Sequence, residues 1–180
     1  PTYTALTKPP FHYRSAIGCL TYLATASRPD IATAVNILAQ FREGPAKRHY
    51  KAIRLLMRYL RGTVSVKINY SSSGNRSPAI YSDSNWEAPK SRSGFVALLA
   101  NAPIHWKSTK QTSVAMSSCE AEYMALSLAC KTTIWLRQIT TSLAPKEPLL
   151  ATPVYGDNQA AINLALTDAV PSRSRHNALC

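Results

Sequence analysis

The stretch that decides the fold is "AIYSDSNW", residues 79–86. Ala79, Ile80 and Tyr81 predict the start of a buried strand. Asp83 arrives where the apolar run stops, followed by small polar residues and Trp86. An acid in that place can simply make an Asx turn. It can instead hold a cation, provided that other acids converge on it.

Working outward, "GFVALLA" (94–100) and "PIHWKS" (103–108) predict two more strands, joined by short loops that fit antiparallel hairpins. A long helix is expected from about Ser117 to Leu143, then a loop at "APKEP" (144–148). "TPVYGD" (152–157) predicts a short strand and "NQAAINLAL" (158–166) a helix. On the other side, "VSVKINY" (64–70) alternates Val64, Val66, Ile68 and Tyr70, the pattern of a half-buried strand. The loop "SSSGNRSP" (71–78) follows it. This order predicts an α/β fold at the border of α+β, a mixed sheet with helices packed on it.

The first part of the chain reads as helical. In "SRPDIATAVNILAQF", Ser27 is placed as an N-cap with Pro29 and Asp30 in the first turn, and "EGP" (43–45) is a breaker. "AKRHYKAIRLLMRYLRG" predicts a second helix with an apolar stripe of Ile53, Leu56, Met57 and Leu60, closed by Gly62. Lys47, Lys51, Arg54, Arg58 and Arg61 step by four, three, four and three, so they line another face as candidate phosphate contacts. Two segments are expected: helical residues 1–62, and 63–180.

Composition narrows the class. Apolar residues make up 46% of 180, which is globular rather than disordered. Twenty-one Lys and Arg against nine Asp and Glu leave +12, which favours a polyanionic partner. No apolar run approaches the roughly 20 residues of a membrane span, and "PTYTALTKPPFHYRSAIG" lacks a signal-peptide layout. A cytoplasmic or nuclear setting without membrane contact is the expectation. Cys19, Cys119, Cys130 and Cys180 have neither disulfide nor zinc spacing and read as reduced, mostly buried thiols. Trp106 and Trp135 are expected in the core, and Trp86 against a wall.

Four of the nine acids fall in three short motifs. Asp83 ends one expected strand and Asp157 another, in "VYGDNQA"; Glu120 and Glu122 open the long helix, in "SSCEAEYMAL". Each has a plainer reading: Asp157 could cap the helix at 158, and Ser117-x-x-Glu120 fits a capping box. Glu122 has none, since it lies about 200° around the helix from Glu120 and runs into Tyr123, Met124 and Ala125. If the two strands are neighbours, their acids meet and the helix delivers a Glu to the same edge. Clustered carboxylates need a cation, and oxygen-only ligands suit Mg²⁺ or Mn²⁺. Two such ions about 4 Å apart can cleave a phosphodiester.

"YSDSNW", "SRSGFVALLANAPIHWKSTKQTSVAMSSCEAEYMALSLACKTTIWLRQI" and "VYGDNQAAI" closely resemble the ribonuclease H region of copia-type LTR retrotransposon polyproteins. "YRSAIGCLTYLATASRPDIATAVNILAQF" and "HYKAIRLLMRYLRGT" resemble the segment that joins the reverse transcriptase of that family to its ribonuclease H. The resemblance implies a ribonuclease H-like fold, Mg²⁺ (or Mn²⁺), and two-metal hydrolysis of RNA in an RNA–DNA hybrid. It implies the reverse-transcriptase domain of the same polyprotein as a partner. It carries the catalytic and metal-binding roles to Asp83, Glu122 and Asp157, leaving Glu120 and His176 as supporting or alternative residues. Lys47, Lys51, Arg54, Arg58, Arg92, Lys107 and Lys110 are the expected nucleic-acid contacts. The family's last strand and its acid-bearing final helix have no counterpart before Cys180. The alternative is therefore a catalytically impaired, truncated nucleic-acid-binding fragment, or an idle remnant of the same polyprotein.

Overall fold

A computed structural model describes residues 9–71, 77–87, 89–143 and 151–167. It divides into two units, Pro1–Asn69 and Tyr70–Cys180, so the division falls seven residues after the helical segment ends at Gly62.

The first unit is built from α1 (Tyr13–Ala26), a 3₁₀ turn (Pro29–Ile31), α2 (Ala32–Ala39) and α3 (Lys47–Gly62). Tyr13, Ile17, Leu20 and Ala24 recur on one face of α1 and are buried against Val35, Leu38, Tyr50 and Ile53. Ile53 is fully buried, a contribution of about 1.5–3 kcal/mol. Polar ends are satisfied locally. The Tyr13 hydroxyl donates to Leu38 O at 2.8 Å. At the start of α3, His49 Nδ1 accepts the Ala46 N–H at 3.0 Å while its ring stacks on Phe41.

Two expectations for this unit, Ser27 as an N-cap and Met57 in the apolar stripe, are corrected, while Pro29 and Asp30 do stand in a first turn, that of the 3₁₀ helix. Ser27 closes α1 instead of opening the next helix, because its N–H donates back to Leu23 O. Asp30 is held by Arg28 and by the Tyr59 hydroxyl. Met57 is 42% exposed, since the buried line of α3 runs through Tyr50, Ile53, Leu56 and Leu60.

The second unit is a four-stranded mixed sheet in the order β3-β2-β1-β4, formed by β1 (Ala79–Asn85), β2 (Arg92–Leu99), β3 (Ala102–Lys110) and β4 (Val154–Tyr155). β1–β2 and β2–β3 are antiparallel; β4 pairs with β1 in parallel, Ile80 opposite Val154 and Tyr81 opposite Tyr155. α4 (Ser118–Leu143) packs on the face bearing Ile80, Phe95 and Ala97, and α5 (Gln159–Leu166) follows β4. Ala121, Ala125 and Ala129, spaced by four and fully buried, let α4 approach the sheet closely. The fold is α/β, consistent with a ribonuclease H-like mixed sheet flanked by helices.

Residues 64–70 do not form the expected strand. Val64 and Val66 are 78% and 59% exposed, and alternation alone makes no strand without a partner edge or a face to bury. The described cysteines are not buried: Cys19 and Cys130 are exposed and Cys119 is intermediate. The three tryptophans also stay partly wet. Trp135 is 47% exposed beside His105, Trp106 is half-buried, and Trp86 is 62% exposed with its indole N–H donating to Ala115 O.

Candidate metal centre

The parallel pairing of β1 with β4 sets the site. Asp83 lies three residues beyond Ile80 and Asp157 three beyond Val154, so paired strands carry both acids to the same sheet end. α4 starts at that end and delivers Glu122. One carboxylate oxygen from each of Asp83, Glu122 and Asp157 lies within 4.8 Å of the other two. Asp83 and Asp157 are exposed and Glu122 is 7% exposed, so the cluster has a wet rim and a buried floor.

The plainer readings of these acids fail on geometry. Asp83 is paired inside β1 opposite Gly94, and the strand runs on to Asn85, whose Oδ1 accepts the Arg92 N–H at 2.9 Å. Asn85 thus does the turn's work. Asn158, not Asp157, caps α5, with Oδ1 accepting the Ala161 N–H at 3.0 Å. Glu120 does cap: Ser117 Oγ accepts the Glu120 N–H at 3.1 Å, and Glu120 Oε2 accepts the Met116 N–H at 2.8 Å. Of the two readings of Glu120, the capping one is seen, and the three clustered acids do not include it. His176 lies outside the described residues.

Glu122 Oε1 accepts the Ser84 main-chain N–H at 3.1 Å. Burial raises its pKa above the ordinary carboxylate value; the Ser84 bonding opposes that, and the nearby Asp83 and Asp157 charges raise it further. A buried carboxylate facing two others is costly without a cation. Three oxygens no more than 4.8 Å apart leave a point within about 2.8 Å of all of them, so small rotamer shifts reach the roughly 2.0–2.6 Å of Mg²⁺ or Ca²⁺ contacts. The donor set is all oxygen, hard and anionic, which fits Mg²⁺ or Mn²⁺.

Two further residues brace this centre. Gln111, 7% exposed, donates from Nε2 to Ser93 Oγ and to Ala121 O, both at 2.9 Å, while its main-chain N–H reaches Ser91 O. Ser93 pairs with Ser84 across the sheet. The start of α4 is therefore tied to β2 by Gln111 and to β1 by the Ser84–Glu122 bond. Neither Ser84 nor Gln111 stands out in the sequence.

Of the expected cationic contacts, Arg92 and Lys110 are cross-strand partners, in line with Asn85 and on the Asp83 face of the sheet. Lys107 pairs with Phe95 and belongs to the opposite face. Lys47, Lys51, Arg54 and Arg58 belong to the first unit, exposed along α3.

An α/β domain whose sheet end gathers three carboxylates defines the class, and sequence relatives define the family. No family model matches the chain. The secreted RxLR effector protein 161 of Plasmopara viticola is 39% identical over 128 residues, 69% of this chain and 90% of the relative. The retrovirus-related Pol polyprotein from transposon RE1 of Arabidopsis thaliana is 37% identical over 175 residues, and that from transposon TNT 1-94 of Nicotiana tabacum 34% over 170. These cover 94% and 91% of this chain, which spans only 12% of the length of either polyprotein. The chain belongs to one sequence family with the secreted RxLR effector protein 161, and it is similar over nearly its whole length to part of the retrovirus-related Pol polyproteins of transposons. No helix among the described residues is long and apolar enough to cross a membrane.

Proposed function

We propose that this chain is a retrotransposon ribonuclease H, cutting the RNA strand of an RNA–DNA hybrid with Mg²⁺ or Mn²⁺. The observation that carries the reading is the convergence of Asp83, Glu122 and Asp157 within 4.8 Å at one sheet end. When bound, the ions would make water nucleophilic at neutral pH and stabilise the oxygen that leaves phosphorus. Asp83 and Asp157, on the exposed rim, are the ligands that a scissile phosphate would meet. Glu122 forms the floor, fixed by the Ser84 N–H and screened from solvent. Arg92 and Lys110, on the Asp83 face, are positioned to take neighbouring phosphates of the same strand. Selection of RNA would rest on its 2′-hydroxyl and on the hybrid's groove. The Pol relatives support a polyprotein setting, and the reverse-transcriptase domain of that polyprotein is the partner this reading assigns.

The test is cleavage of a labelled RNA–DNA hybrid by the purified chain with Mg²⁺, Mn²⁺ or chelator, alongside Asp83→Asn. Metal-dependent cutting of the RNA strand that Asp83→Asn abolishes is the expected result. Retained binding without cutting would overturn the reading and leave a nucleic-acid-binding fragment.

A further inference from the structure

The first unit carries most of the charge. Residues 1–69 hold eleven Lys and Arg against Asp30 and Glu43, a net +9 of the chain's +12. Both carboxylates are engaged elsewhere: Glu43 by Arg14 at 2.6 Å and Asp30 by Arg28 at 2.7 Å. α3 contributes six of the cations and no acid.

Five of those six form a line. At 100° per residue, Lys47, Lys51, Arg54, Arg58 and Arg61 fall within about 40° on either side of one generator of the helix, and their positions span about 21 Å. All five are exposed. Ile53, Leu56 and Leu60 occupy the far side and pack into the unit's core, so burial fixes which way the cations face. Like charges three and four residues apart cost a few tenths of a kcal/mol per pair, and no acid in the helix offsets them. A polyanion would.

We propose that this stripe is a metal-independent handle for the phosphate backbone of double-stranded nucleic acid, one that does not read sequence. α3 has no Asn, Gln, Asp or Glu for adenine or cytosine edges, the Tyr59 hydroxyl is held by Asp30, and His49 and Tyr50 are buried, so its polar reach is that of its cations. A straight row of point charges suits the regular phosphates of a duplex. A membrane surface is disfavoured, because the apolar side that would enter a bilayer is already occupied by the core of the unit. The handle does not depend on the metal-centre reading.

The test uses the full chain carrying Asp83→Asn, in chelator, with fluorescent RNA–DNA hybrid and DNA duplex of unrelated sequences. Anisotropy is followed from about 50 to 200 mM salt. Five phosphate contacts give a slope of log affinity against log salt near −4.5. Lys51→Gln/Arg54→Gln/Arg58→Gln should lower that slope by about 2.7 for both duplexes alike. Its melting temperature should be unchanged or raised, since the substitutions relieve repulsion. An unaltered slope would overturn the handle. So would a loss confined to one duplex, or triple-variant loss of binding to anionic phosphatidylserine vesicles while duplex binding is kept.

Discussion

The Ser84 main-chain N–H donates to Glu122 Oε1 at 3.1 Å, joining the end of β1 to the first turns of α4. The bond holds a buried carboxylate facing two others, so its charge is a local liability until a cation arrives. Glu122→Gln keeps the size and an acceptor for Ser84 while removing the charge. In chelator at neutral pH its stability should exceed that of the wild type by on the order of 1 kcal/mol. Glu122→Ala should instead lose about 1–3 kcal/mol, because a buried N–H is left unmade. Thermal melts with and without Mg²⁺ check both. Equal stabilisation of wild type and Glu122→Gln by Mg²⁺ would exclude Glu122 as a ligand.

The pH dependence follows from the same carboxyl. Burial, with Asp83 and Asp157, raises its folded-state pKa above the unfolded value. The native state then holds the proton more tightly, so stability from this group is present in acid and declines as pH rises through the raised value. In chelator, wild type should lose stability relative to Glu122→Gln on going from acid to neutral pH. With Mg²⁺ the trend should reverse, since the ligand must be ionised to bind. Melting temperature against pH for both proteins, with and without metal, reads the crossing directly. A pH-independent difference in chelator would sink the assignment.

Gln111 touches none of the three carboxylates, yet it ties Ser93 to Ala121, the residue before Glu122. Gln111→Leu removes both bonds, leaving the buried Ser93 hydroxyl without this donor and Ala121 O with its helix bond alone. We expect a loss of about 1–3 kcal/mol by urea unfolding. Weaker Mg²⁺ affinity should accompany it at temperatures where the variant is fully folded, because α4 is no longer held in register with β2. Unchanged Mg²⁺ titration in a folded, destabilised variant would confine Gln111 to stability.

Much of this arrangement is readable from residues, and the exceptions have physical causes. β1 and β2 are legible because alternate residues, Ile80 and Ser82 in one and Ser93, Phe95 and Ala97 in the other, are buried. The meeting of Asp83 with Asp157 is legible only conditionally, since it needs β1 and β4 to be neighbours across 74 residues of chain. Residues 64–70 have a strand's alternation but no face to bury. Ser27 has a cap's chemistry, yet α1 immediately before it claims its N–H. Ser84 acts through its main-chain N–H, which leaves no mark in the sequence. The partners of Gln111 are ten and eighteen residues away.

The β2–β3 hairpin offers a stability test that leaves the carboxylates alone. Leu99 pairs with Ala102, so the turn has two residues, Ala100 and Asn101, at φ 52° and 63°. Two positive φ values define the type I′ turn that matches strand twist, and Asn tolerates that region well. Ala does not, at a cost of roughly 1–2 kcal/mol. Ala100→Gly removes the strain but loosens the unfolded chain by about 0.4–1 kcal/mol. Ala100→Asn avoids most of that loss, so it should be the better variant, gaining about 1 kcal/mol or roughly 2–4 °C in melting temperature. The turn lies at the opposite end of β2 from Arg92, so the Mg²⁺-induced shift should add to this gain unchanged. A lower melting temperature for both variants would mean that the side chain of Ala100 contributes packing worth more than its strain.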